Sequence, residues 1–251
     1  MIRKLLTLVA FGGAVALVAC SDDAGEKYPD TDSFCTAKAK EECAGIAASC
    51  ATSEDACTAA RKPACLQDAG KATGAARNYK AAVAENCLGK THDLYSAKVP
   101  DPTKEDDQQD ACERVFAGNK TASQACQSTY ECEGSLICDK GFCAEKVLRE
   151  IDKPCTDAGA ICVDNAYCAD RGGGQKFCSP KKSKGDICTP DVPCKDDLRC
   201  TGTCVDKVGP GGDCTVDADC GTLAPYCEQS TKHCQQKYQA GTTACKAFGG
   251  P

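Results

Sequence analysis

Apolar side chains are distributed along this chain in three distinct ways. From Leu5 to Val18 they run almost unbroken behind the positive pair Arg3 and Lys4. From about residue 33 to 118 they are sparse, mostly alanine, and fall at helical intervals together with cysteines. From Cys126 onward the background is polar and Gly-rich, and each cluster of cysteines carries only one or two large apolar neighbours. The first run, at about 14 residues, is shorter than the roughly 20 a helix needs to span a bilayer. With its positive start and small residues at its end, it predicts a secretory signal peptide over residues 1–19 that the mature protein loses. Residues 20–32 are small, acidic and Pro-containing, as suits a tether.

In the second region Cys35, Cys43 and Cys50 lie 8 and 7 apart, and Cys57 and Cys65 lie 8 apart. Offsets of about 7 or 8 return to one helix face. Thr52 with Asp55 and Thr103 with Asp106 fit a capping arrangement, in which a hydroxyl takes an exposed amide and an acid sits at the positive helix end. Pro63 should end or kink the second helix. A third is expected over 74–88, carrying Tyr79, Val83 and Cys87, with Gly89 as its stop. A fourth, 104–117, places Cys112, Val115 and Phe116 on one face before Gly118. The expectation is a bundle of three or four antiparallel helices over 33–118, cross-linked through their inner faces.

The third region repeats. Its units run from Cys126 through Cys132 and Cys138 to Cys143; from Cys155 through Cys162 and Cys168 to Cys178; from Cys188 through Cys194 and Cys200 to Cys204; and from Cys214 through Cys220 and Cys227 to Cys234. In each, an apolar or aromatic residue stands within two places of the third cysteine: Leu136 and Ile137, Tyr167, Leu198, Tyr226. Gly in the last gap of the first three units permits positive φ and marks the tip of a minimal hairpin. Four cysteines allow three pairings. First with third and second with fourth is the expected one, because interlaced bridges make the most compact knot. Polar links such as KKSKGD and DKVGPGG separate the units, and residues 237–251 form a tail. The fold class is thus a small disulfide-rich protein, a helical disulfide domain followed by tandem four-cysteine knots with short hairpins over 119–236.

Composition gives the reason. Leu, Ile, Val and Phe make up only 26 of the 232 residues from Cys20 onward, far below the share from which a single large core is built. The chain has 25 cysteines, and in an exported chain this density reads as a disulfide framework. Metal is the other use of many thiols, but no CxxC, CxC or CC pair occurs, and such pairs are what zinc and iron–sulfur sites require. No metal or other cofactor is expected. Loss of Arg3 and Lys4 takes the formal charge from −6 to −8, which argues against nucleic acid as a partner. Setting Cys20 aside leaves 24 cysteines. The helical region holds seven and the tail only Cys245, so full oxidation requires a bridge out of the helical region, with Cys245 closing back on it directly or by exchange within the fourth unit.

Cys20 has a separate role. Leu17-Val18-Ala19-Cys20 resembles the lipobox of bacterial lipoproteins, which implies cleavage before Cys20, a thioether-linked diacylglyceryl group on its sulfur and an acylated amine. Several acyl chains would hold the protein firmly to a membrane. Ser21 after that cysteine implies, by the same resemblance, the outer membrane of a Gram-negative cell envelope. Over about residues 112–234 the four-cysteine unit, with its leucine or aromatic before the third cysteine, resembles the N-terminal cysteine-rich domain of the Dickkopf proteins and the units of tandem Cys-rich lipoproteins of myxobacteria.

Catalytic signatures are absent: there is no GxSxG, HExxH or P-loop. His92 and His233 read as surface residues, RGGGQK over 171–176 as a flexible loop, and Asp217-x-Asp219 and Lys195-Asp196-Asp197 as solvated faces lacking a calcium loop's distal Glu. The expected function is a non-enzymatic, lipid-anchored module that binds a protein or glycan partner, with loops 170–177 and 222–226 as its candidate contacts. A protease or hydrolase inhibitor and a purely structural envelope protein are the alternatives, followed by an enzyme without a recognisable motif. Intact mass of the mature protein, before and after reduction and alkylation, should show acyl groups on Cys20 and twelve bridges; retention of the first nineteen residues would remove the anchor.

Overall fold

In the computed structural model the described residues are 27–96 and 102–251, the side chains of 102 and 103 excepted. Cys20, the apolar run before it, most of the tether and the Thr103 cap lie outside them. No helix among the described residues is long and apolar enough to cross a membrane. The described residues form four long helices followed by a series of two-stranded pairs, and twelve disulfides link them.

Helix α1 spans Thr31–Ile46 and starts on a reciprocal cap: the Asp30 carboxylate accepts from the Ser33 amide at 2.8 Å, and the Ser33 side chain returns to the Asp30 backbone. Helix α2, Glu54–Gly74, is capped by Ser53, not Thr52. Pro63 lies inside α2 rather than at its end. Proline removes one backbone bond, but Cys43–Cys57 and Cys35–Cys65 pin α2 to α1 on either side of it, so the helix continues. The reversed order of those two pairs makes α1 and α2 antiparallel.

Helix α3 runs Ala81–Tyr95, starting later and ending later than the spacing implied. Asn78–Tyr79 instead forms strand β1, paired antiparallel with β2, Phe116–Ala117, and this takes Tyr79 out of the helix to pack with Phe34 and Phe116 at 6.0 and 5.6 Å. Gly89 does not stop α3. An interior glycine costs about 1 kcal/mol against alanine, and the buried Leu88, Thr91 and Leu94 on either side outweigh it. Helix α4, Pro102–Arg114, is tied to α3 by Cys87–Cys112. α1 packs against both α2 and α3, and α4 packs on α3. Alanines Ala69, Ala72 and Ala84 fill the core beside Phe34, Leu88, Val115 and Phe116. Gly45 permits the closest approach, since a Cβ there would meet the Tyr95 carbonyl oxygen at 1.9 Å.

The repeats share one hydrogen-bonded frame. Their hairpins are β3 (Ile137–Asp139) with β4 (Phe142–Ala144), β7 (Ala166–Asp170) with β8 (Lys176–Pro180), β9 (Leu198–Cys200) with β10 (Cys204–Asp206), and β11 (Tyr226–Glu228) with β12 (His233–Gln235). In every unit the first cysteine bonds the third and the second bonds the fourth. The polar links do more than separate the units. Lys120, Lys182 and Val208 each pair in parallel with the second cysteine of the following unit, and Arg149 does the same within β5 (Val147–Arg149), which pairs with β6 (Ala160–Cys162). Next, Ser123, Asp152, Gly185 and Gly211 all take positive φ, and each donates its amide to the carbonyl of the fourth cysteine at 2.8 Å. Each unit therefore begins about six residues before its first cysteine. The fourth hairpin, lacking Gly, turns with Lys232 at φ 58°.

The tail closes the molecule. Helix α5, Thr243–Lys246, carries Cys245, which is bonded to Cys50 across 195 residues. Replacing both Cys50 and Cys245 by Ala should lower stability by about 3 kcal/mol, less than that separation alone implies because other bridges shorten the effective loop. Thermal unfolding followed by helical circular dichroism should show the helical region melting earlier, with the four knots still oxidised.

Candidate functional site

Sixteen sulfurs fix the knots, and what varies is what they carry outward. The residue before the first cysteine lies opposite the residue before the fourth in every unit: Ala125 with Phe142, Pro154 with Phe177, Ile187 with Thr203, Asp213 with His233. One place on a shared frame thus holds in turn an aromatic, a proline and aromatic, an aliphatic and an acid beside an imidazole. Phe142 is 51% exposed and Ile187 75%; Asp213 and His233 meet at 3.1 Å. Leu148, Val216 and Leu223 add further exposed apolar side chains along the same region of chain.

The two loops expected from sequence as contacts are placed differently. In the first, Gly172, Gly173 and Gly174 all adopt positive φ. Its base is fixed by Arg171, which donates to Asp152 at 2.5 Å and Ser179 at 3.1 Å and lies 5.4 Å from the Phe177 ring. In the second, Leu223 is exposed while its carbonyl accepts from Gln236 at 2.6 Å and Ala224 is buried. His92 pairs at the surface with Glu41 at 2.9 Å. Asp219 accepts from the Thr215 and Val216 amides, and Asp217 from the Cys227 amide at 2.8 Å, so these acids hold turns. Three sulfurs in each knot lie within 4.8 Å of one another, but all are in disulfides, and a thiolate is what a metal needs.

A gap of about 440 Å³ in the helical region lies between α2 and α4 and is floored by Phe34 and Phe116. Its charges are already spent on each other. Lys71 pairs with Asp68 at 2.9 Å, Lys38 with Glu42, and Arg77 with Glu113 at 2.5 Å. Arg77 also donates to the Phe116 and Glu113 carbonyls and lies 5.2 Å from the Tyr130 ring, so it fastens the first knot to the helices.

Two buried carboxylates hold the tail region, and neither was singled out by the cysteine pattern. Glu42, 1% exposed, accepts from Arg61 at 2.6 and 3.1 Å and from Lys38. Burial pushes its pKa up, but the Lys38 ammonium and the Arg61 guanidinium outweigh that and hold it below the ordinary value. Arg61 in turn lies 4.6 Å from the ring of Phe248, which packs with Tyr95 and Tyr238 at 5.7 and 5.4 Å. Burial, then the Glu42 charge, pushes Tyr95 up to about 12, so both tyrosines stay neutral at any physiological pH. At the other end of the tail Glu228 accepts from the Thr243 amide and hydroxyl at 2.8 and 2.7 Å and from Ser230. Glu42 was legible in one respect: it follows Cys35 by seven residues, on the face that also carries Ala39, Cys43 and Ile46. Glu228 carried no such mark.

The chain matches no protein-family model, no curated protein and no solved structure.

Desolvation works against the charged form of Glu228, but hydrogen bonds from Thr243 and Ser230 prevail and lower its pKa from 4.5 to about 2. A group with a depressed folded pKa stabilises the fold above its unfolded pKa, and that stabilisation disappears as pH falls through the folded value. The melting temperature should therefore drop as pH is lowered from 4.5 toward 2. Glu228→Gln should melt lower at neutral pH and show a shallower acid slope; an unchanged profile would mean the carboxylate does not hold the tail.

Proposed function

We propose that this is a lipid-anchored, disulfide-stapled binding module of the bacterial cell envelope, whose four knots present side chains to a protein or glycan partner. The observation that carries this reading is the constant frame with variable cargo. Four units reproduce the same bridges and main-chain bonds, while the outward positions change from Phe to Ile to Asp with His. Side chains fixed in advance by cross-links lose little freedom on binding, so more of the contact energy becomes affinity. Exposed large apolar residues on such a frame are the kind that anchor interfaces.

The anchor rests on the Cys20 lipobox, and the outer membrane is the address it implies. Cys20→Ala should move the protein from the membrane pellet to the soluble fraction. The oxidised Cys20→Ala chain, which the anchor no longer holds, should still bind purified envelope of its own host. Changing Leu148, Ile187 and Leu223 together to Ser should weaken that binding by about tenfold or more, as for hot-spot loss, with the unreduced mass still showing twelve bridges. Undiminished binding by the triple variant would remove the knots as the contact surface.

A further inference from the structure

Return of the tail places the fourth knot against helix α4 and leaves a cleft of about 280 Å³ between them, lined by Glu105 on α4, Lys207, Asp217, Thr222, Pro225 and Tyr226 of the knot, and Lys237 of the tail. Lys237 and Glu105 pair across the mouth at 2.8 Å, joining tail to helix. The remaining polar groups differ from those of the α2/α4 gap, because they are not spent. Half-buried Lys207 has no acid and the Tyr226 hydroxyl no hydrogen-bond partner among the described residues. Asp217 uses one carboxylate oxygen on the Cys227 amide, which leaves the other without a donor among the described residues. An apolar wall with a few convergent polar groups is the form small-molecule sites take, and this volume is just below their usual range of about 300 to 1,000 Å³, room for a single sugar ring rather than a larger ligand.

The geometry points to a binding site for a neutral saccharide in this cleft. A sugar ring has an apolar C–H face, which the Tyr226 ring and Pro225 can cover, and an edge of hydroxyls that donate and accept. Asp217 accepts only, Lys207 donates only, and the Tyr226 and Thr222 hydroxyls do both. One acid and one base cancel, so the matching ligand carries no net charge. A peptide strand fits less well, since the Cys227 amide, the main-chain donor at this place, is already occupied by Asp217. The equivalent knot positions do not repeat the set: the residues before the third cysteine are Ile137, Tyr167 and Arg199 in the other units, and only the fourth unit is closed against α4 by the tail. The inference rests on the binding-module reading and narrows its partner to a glycan at this one place.

The test is titration of the full oxidised chain with two probes, an N-acetylglucosamine trisaccharide and maltotriose, followed by calorimetry. Binding of at least one probe at one site per chain is expected. Tyr226→Ala and Lys207→Ala should each weaken it by about tenfold, Tyr226→Phe by only about threefold to tenfold because a single hydrogen bond is lost, and Tyr167→Ala in the second knot not at all. The Cys50→Ala, Cys245→Ala double variant should also lose affinity, because the α4 wall departs while the fourth knot's own bridges remain. No binding of either trisaccharide up to millimolar concentration would overturn the inference, as would binding that Tyr226→Ala and Lys207→Ala leave unchanged. Envelope binding that persists without saccharide binding would discard this site and leave the module; saccharide binding without envelope retention would do the reverse.

Discussion

The rest of the structure depends on covalent sulfur standing in for a hydrophobic core. Among the described residues the buried clusters are six and small: two in the helical region and one in each knot, each knot cluster built largely of the cysteines themselves. A group of three or four half-buried apolar residues cannot offset the entropy of ordering some 25 residues, which costs about 1 to 2 kcal/mol each. Two interlaced bridges per knot lower that cost by restricting the unfolded chain, and the shared main-chain bonds complete the frame around the small cysteine-lined cluster. Freed from packing, the outward residues can differ in every unit.

Closure adds a second level of constraint. The knots begin where the first is fastened to the helices by Arg77 and Tyr130, and the chain returns through Cys245 to Cys50. The two ends of that return are held by buried carboxylates, beside the packing of Phe248 and Tyr238 on Tyr95. A buried ion pair gains little net over a hydrophobic one, but breaking it is costly, roughly 3 to 5 kcal/mol, because the remaining charge is left without a partner. Glu42 with Arg61 and Glu228 with Thr243 therefore act as placement devices. They fix where the tail lies, and by doing so fix where the fourth knot meets α4. The binding-module reading and the saccharide cleft both draw on this arrangement of a rigid frame, variable exterior and one junction shaped by the tail.

Much of the helical region was readable as helix because its cysteines recur at helical offsets, and the expectation of three or four helices followed. Their limits were less so. Pro63 and Gly89 are breakers by local preference, yet both lie within helices because bridges and buried neighbours on each side outweigh a cost of a few kcal/mol. Tyr79 left its expected helix for a two-residue strand because Phe34 and Phe116, distant in sequence, offered its ring a packed site. In the knots the hairpin glycines were legible, but the linkers were not, since Ser123 and Asp152 adopt positive φ without being glycine, and a parallel bridge to a cysteine twelve or thirteen residues on leaves no periodic trace.

By itself the sequence determined that this chain is cross-linked, that its cysteines obey two spacings, and that a bridge must leave the helical region if all are oxidised. Those conclusions follow from composition, periodicity and parity, which are properties of the chain alone. Which helical cysteine receives Cys245, where the buried carboxylates lie, and that α4 and the fourth knot share a cleft were decided only in three dimensions. Each is a contact between residues far apart in sequence, and its energy depends on mutual geometry that no local pattern encodes.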